Sequence, residues 1–222
     1  MRQLSQAFVS VALLLPAIAL GWLAMSHWRD GLAVDEAIPV PAYMVAQIPM
    51  PKVAYEDAVR ALGRADPRNG WAHIARAEAA RREGAAPQAQ IPEIVAGLTL
   101  SPASSRGWTL LSEAWLPVDK RQAAKMLSQA LLLGPNDFWL VGPRAQDASV
   151  LWPYLDQDTK ELALVQTRML WEVPALRGQL RVLLRAASGV SLASQAFKNR
   201  QDEVRQMNRW LAIERRREAE TP

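Results

Sequence analysis

QIPEIVAGLTLSPASSRGWTLLSEAWLPVDKRQAAKMLSQALLLGP, residues 90–135, holds two helix-length segments that each run into a proline. An earlier segment, 55–67, ends the same way, and the three prolines, Pro67, Pro102 and Pro135, stand 35 and 33 residues apart. Eight positions before each lies an apolar residue, Val59, Ile94 or Leu127, and two positions before lies another, Ala65, Leu100 or Leu133. The fifth position before is Leu62, Gly97 or Ala130, where a small side chain lets helices approach closely. A tryptophan follows each proline within six residues: Trp71, Trp108 and Trp139. Proline lacks the N–H that a helix interior needs and its ring clashes with the preceding turn, so each one marks a helix end.

Working outward, the chain shows little period-two alternation, and its apolar residues are mostly Ala and Leu, with breaks at Gly and Pro. Helix formers dominate, which predicts an all-α protein. Beyond the repeats, 157–171 reads as a helix with Leu162, Leu164, Val165, Met169 and Leu170 as its apolar set and Asp156 or Asp158 near its start. Pro174 ends it, and 175–187 follows with Leu176, Leu180, Leu183 and Leu184 on one face. Gly189 reads as a stop. A final helix is expected from 192 to about 217, with Val204, Met207, Trp210 and Leu211 as a narrow stripe.

The proline-phased pattern resembles the tetratricopeptide repeat, a helix–turn–helix unit of about 34 residues. After Pro102, Trp108, Leu111 and Trp115 stand where that family places its first-helix Trp, Leu and aromatic residues, with Ser112 at the small-residue position. In the first unit Trp71, Ile74 and Ala75 keep the pattern, while Glu78 replaces the aromatic. In the third, Gly142-Pro143 interrupts the helix that Trp139 should open. The resemblance covers 55–146, under half of the chain. It implies a solenoid in which neighbouring hairpins stack because neither helix of a pair buries its apolar stripe alone. The C-terminal section is then either a set of degenerate repeats or a capping bundle.

At the other end, residues 7–25 form an uninterrupted uncharged run, AFVSVALLLPAIALGWLAM. As a helix at about 1.5 Å per residue it spans ~28 Å, close to the ~30 Å hydrocarbon core of a bilayer. Trp22 and Trp28, with His27 and Arg29, suit the interfacial belt. A cleaved secretory signal ending at Ala17-Ile18-Ala19 competes, but the apolar run continues past that site; a buried core helix is the third reading. Residues 31–51 carry Pro39, Pro41, Pro49 and Pro51, which exclude a helix and favour a semi-rigid extended spacer. The expected organisation is therefore a transmembrane anchor at 1–30, a spacer at 31–52, tetratricopeptide-like repeats at 53–147 and a C-terminal helical section at 148–222.

The N-terminal tail is short and the positive-inside bias slight, so the simpler insertion leaves the bulk of the chain outside. With no cysteine and 21 arginines against five lysines, the expectation is a bacterial inner-membrane protein, single-pass, with its domain in the periplasm. Catalytic signals are absent from the sequence. There is no cysteine nucleophile, His27 belongs to the membrane flank and His73 stands alone, no His/Asp/Glu cluster has metal spacing, and no glycine-rich phosphate loop precedes a helix. Asp119, Asp137, Asp147 and Asp156 read as helix-border caps. The expectation is no enzyme, no cofactor and no metal.

Nine tryptophans remain to be explained. Core packing accounts for Trp71, Trp108, Trp115 and Trp139, whereas Trp152, Trp171 and Trp210 are less constrained; any exposed indole would suit a protein partner or a sugar ring. The last helix offers a basic surface, Arg200, Arg205, Arg209 and Arg216, either for an anionic surface or as a solvated face neutralised by Asp202, Glu203 and Glu214. Its charge density is too modest for nucleic acid. Expected partners are membrane lipid, through the N-terminal helix, and other envelope or membrane proteins. The resemblance implies a non-enzymatic adaptor serving an assembly system, cell-surface polysaccharide synthesis or export ahead of cytochrome maturation. A glycan-binding module and a structural subunit of a larger membrane complex are the alternatives.

Overall fold

The computed structural model describes residues 52–64 and 68–220, together with Leu20, Trp22, Ala24 and Met25. The rest of the 7–25 run, nearly all of the spacer, Ala65 and Pro67 lie outside the described residues, and so do the expectations placed on them. Among the described residues no helix is long and apolar enough to cross a membrane. All regular structure among them is helical, as α1 (Lys52–Arg64), α2 (Gly70–Arg82), α3 (Ile91–Leu100), α4 (Ser105–Trp115), α5 (Lys120–Leu133), α6 (Val141–Leu151), α7 (Gln157–Glu172), α8 (Arg177–Leu183), α9 (Ala187–Ala196) and α10 (Gln201–Glu220).

Local chemistry explains most of these boundaries. The first N–H groups of a helix lack intrahelical acceptors, and short polar side chains supply them. Asn69 Oδ1 accepts from the N–H groups of Trp71 and Ala72 at 3.1 and 3.2 Å. Ser104 Oγ does so for Gly107, Asp119 Oδ1 for Arg121 and Gln122, and Asp156 Oδ1 for Thr159 at 2.7 Å. Past the end of α2 the chain turns through Gly84 at φ +92°, a left-handed conformation that glycine adopts without a Cβ penalty.

Helices neighbouring in sequence pack as hairpins, and the hairpins stack. In one layer α2 contacts α4, α4 contacts α6 and α6 contacts α8; in the other α5 contacts α7 and α7 contacts α9. The core is correspondingly strung along the stack. One cluster joins Ile74, Ile94, Leu98, Leu110 and Leu111, the next Leu127, Leu131, Leu151 and Leu192, and the last Leu170, Trp171, Leu176, Leu180 and Phe197. α10 seals that last cluster with Met207, Val204, Trp210 and Leu211. Gly97 sits where α3 meets the start of α2: a Cβ there would lie 2.8 Å from the Gly70 carbonyl oxygen.

The structure corrects several sequence expectations. Ile94 and Leu127 are buried, but Leu100 and Leu133 are 46% and 45% exposed, so the position two before Pro102 and Pro135 is not core. At about 100° per residue, six positions carry a side chain roughly 240° round the helix, whereas the buried Leu98 and Leu131, four positions along, return to the same face. Gly142-Pro143 does not interrupt a helix: both lie in the first turn of α6, where the missing proline N–H would be unpaired anyway. Gly189 does not stop one either. It is buried inside α9, and the expected final helix is divided at residues 197–200 between α9 and α10. In α7, Val165 is exposed while Gln166 and Thr167 are buried.

Candidate functional site

The inner layer lines a groove of about 980 Å³. α2 contributes Trp71, Glu78 and Arg81; α4 contributes Arg106, Thr109, Leu110 and Glu113; Asp137, Trp139 and Leu140 precede α6, which adds Pro143, Gln146 and Asp147; α8 adds Gln179. Each helix of the layer supplies a strip one hairpin removed from the next.

Polar contacts across the walls fix neighbouring hairpins. Arg81 pairs with Glu113 and Arg106 with Glu78, two reciprocal bridges between α2 and α4. The Arg106 guanidinium also lies 6.0 Å from the centre of the Trp71 ring. Between α4 and the next hairpin, Ser105 Oγ donates to Asp137 Oδ2 at 2.9 Å and Ser112 Oγ to Asp147 Oδ2 at 3.1 Å. Beneath them Arg144, fully buried, donates through Nε to Thr109 Oγ1 at 2.9 Å and through Nη1 to the Gly134 carbonyl at 2.6 Å. Burial pushes the Arg106 and Arg144 guanidiniums down to about 10, partly countered by Asp137, so both stay charged at neutral pH.

Asp147 is the unusual group. It is 6% exposed in the middle of α6, and burial raises its carboxyl to about 7 against the pull of the Ser112 hydrogen bond and the Arg81 charge. A carboxyl whose folded value lies above its unfolded value binds more protons in the native state, so stability falls as pH rises between about 4 and 7. Asp147→Asn keeps the shape and removes the charge. We expect it to be more stable than wild type near pH 8, the difference shrinking as pH falls from about 7 and vanishing below about pH 4; urea unfolding across that range measures it. A difference between variant and wild type that does not change with pH over this range would contradict the described burial.

The sequence-predicted residues fall in different places. Leu111 is buried, while Trp108 and Trp115 are partly buried against the core. The Trp108 indole donates to the Pro102 carbonyl at 2.8 Å, a physical reason for the proline–tryptophan spacing. Pro102 and Pro135 are exposed just past their helices, and Pro67 lies outside the described residues. Trp71 and Trp139 are corrections: they border the groove rather than fill the core, Trp139 being 44% exposed. Nor do Trp71 and Trp108 occupy one position. The caps Asn69 and Ser104 are 35 residues apart, which pairs Trp71 with Arg106.

Just before α10, Arg200 pairs with Glu172 and Glu203, and on α10 Arg205 pairs with Asp202, so half of the basic surface is locally neutralised; Arg209 and Arg216 are exposed. His73 Nδ1 lies 2.9 Å from Glu93, which also takes Arg76 Nε, a brace between α2 and α3. Of the four aspartates read as caps, Asp119 and Asp156 cap, but Asp137 and Asp147 bond serines across the groove.

As groove residues, Glu78, Arg81, Arg106, Glu113, Asp147 and Gln179 escaped the sequence reading, which took Glu78 for a repeat position and Asp147 for a cap. A signal for three of them was present: Glu78, Glu113 and Asp147 recur 35 and 34 residues apart, the proline period carried onto the first helix of each hairpin. No three His, Cys, Asp or Glu side chains among the described residues gather as a metal site. No protein-family model matches the chain, and no curated protein matches it.

Proposed function

We propose that this chain is a non-enzymatic, membrane-anchored adaptor of the tetratricopeptide type, whose inner helical layer holds a segment of another envelope protein. The carrying observation is the groove itself: successive hairpins contribute to one continuous concavity, with two indoles at its border and charge pairs stiffening its walls. Pre-formed concave surfaces with aromatic anchors and few mobile parts suit the capture of an extended segment, because little ordering entropy is lost on binding. The apolar run at 7–25 supports a single transmembrane span, and the slight charge bias supports a periplasmic domain in a bacterial inner membrane. Repeat adaptors so tethered serve assembly machinery, here read as cell-surface polysaccharide biosynthesis or export, by raising local concentration beside a membrane complex.

The test is positional. A photocrosslinking amino acid at Trp139, inside the groove, is expected to capture a discrete envelope protein in intact membranes, while the same group at Leu132, 60% exposed on α5, captures none. Equal capture from both positions would remove the groove from the account. Trp71 and Trp139 also favour a second reading, stacking on sugar rings; quenching of their fluorescence by oligosaccharides, with no protein captured, would transfer the function to glycan binding.

A further inference from the structure

We infer that the occupant of the groove is an extended apolar protein segment bearing one basic side chain, which Asp147 receives; this rests on the groove being the partner-binding surface. In a chain of net charge +4, the groove lining runs the other way, with four carboxylates, Glu78, Glu113, Asp137 and Asp147, against the guanidiniums of Arg81 and Arg106. Those two guanidiniums pair with Glu113 and Glu78, and the charged Arg144 beneath the groove acts on Asp137, so the surplus of one negative charge rests on Asp147. Each aspartate gives one oxygen to a serine hydroxyl. Asp147 Oδ1 takes no hydrogen bond among the described residues and, in an otherwise buried side chain, is the oxygen left open to the groove.

A largely buried carboxylate whose one open oxygen faces a groove gains from a charged donor, and an arriving guanidinium or ammonium supplies both the charge and the N–H. An acidic occupant would meet like charge at the same place. Trp71, Leu110, Leu116, Trp139, Leu140 and Pro143 give the rest of the segment an apolar bed. The charged groups that share the groove with Asp147 are Arg81 and Glu78 on α2, Glu113 and Arg106 on α4, and Asp137 at the entrance to α6, of which Arg81 acts on it directly; α8 adds the neutral Gln179. Arg144, on its own helix, turns away to Thr109 and Gly134. Because a basic side chain binds the ionised carboxyl, its binding is linked to loss of the Asp147 proton and weakens as pH falls below about 7.

The experiment uses the full-length protein in detergent and three end-blocked heptapeptides of leucine and proline, identical but for a central arginine, glutamine or glutamate. Affinities are read by anisotropy of a dye on each peptide. At about pH 8 the arginine peptide is expected to bind about tenfold tighter than the glutamate peptide, with glutamine between them. The preference shrinks to under about threefold in Asp147→Asn and by roughly as much on lowering the pH to about 6, while Asp137→Asn reduces it partially. The Asp137 variant and the pH series decide the matter should Asp147→Asn fail to fold. Equal affinity for the three peptides, or preference for glutamate, overturns the inference and leaves the groove as a binding surface. No binding of any peptide overturns the groove reading along with it.

Discussion

Gly189→Ala is expected to destabilise the folded chain by about 4 kcal/mol, a drop in Tm of roughly 8–16 °C for a domain of this size. A Cβ on Gly189 would stand 2.0 Å from the Leu183 carbonyl oxygen and 2.8 Å from its carbon. Those are backbone atoms at the end of α8, so no rotamer change relieves the overlap. α9 must shift, and with it Leu192, Ala196 and Phe197, which help fill the last two core clusters. The same substitution at Gly63 in α1 meets nothing within 4 Å. There alanine loses less backbone entropy than glycine and is expected to stabilise by up to about 1 kcal/mol. Opposite signs from one chemical change, read by thermal unfolding under circular dichroism, test the packing of α9 on α8; a Gly189→Ala variant melting with wild type would refute it.

Arg144→Ala is the second large effect, about 3–4 kcal/mol destabilising. Arg144 is fully buried, so alanine removes a long side chain from the core, leaves the Gly134 carbonyl with only the Asp137 N–H at 3.2 Å and breaks the link to Thr109. These two bonds tie α6 to α4 and to the turn after α5. The guanidinium itself is not well served: Nη2 has no acceptor among the described residues. Burying a charge with incomplete partners is costly, so filling the same volume with an apolar chain recovers much of the loss. Arg144→Met is accordingly expected to lose only about 1–2 kcal/mol, the cost of the lost hydrogen bonds to Thr109 and Gly134 remaining. Equal losses for Ala and Met in urea titrations would show that hydrogen bonding, and not packing, dominates at this position.

Much of the helical layout was readable because it is local. Asp119 and Asp156 cap α5 and α7 within three residues of themselves, Pro102 and Pro135 follow helix ends, and the Val204, Met207, Trp210 and Leu211 stripe lies along one face of α10. Errors arose where one residue type has two local meanings. Gly189 looks like a breaker in sequence, yet in the fold it is a place where two helices touch. Gly142-Pro143 looks like an interruption, yet a proline in a first turn begins a helix as readily as it ends one. The leucines two before each proline looked like core because they are apolar, but the helical angle turns them to solvent.

The candidate site was less legible, for a different reason. Asp147 is separated from Ser112 by 35 residues and from Arg81 by nearly twice that, and nothing within a helical turn of it distinguishes a cap from a buried groove carboxylate. Trp71 and Trp139 carry the same ambiguity: an indole at repeat spacing packs inward or borders a concavity according to how its helix is rotated.

By itself, then, the sequence determined that this chain is helical, where most helices start and end, and that its hairpins recur at a near-constant period, because caps, prolines and amphipathic spacing act over one or two turns. Only tertiary structure decided which side chains share a surface. Stacking brings α2, α4, α6 and α8 side by side, and the burial that follows creates both the groove and the raised carboxyl of Asp147; neither property exists in any one helix alone.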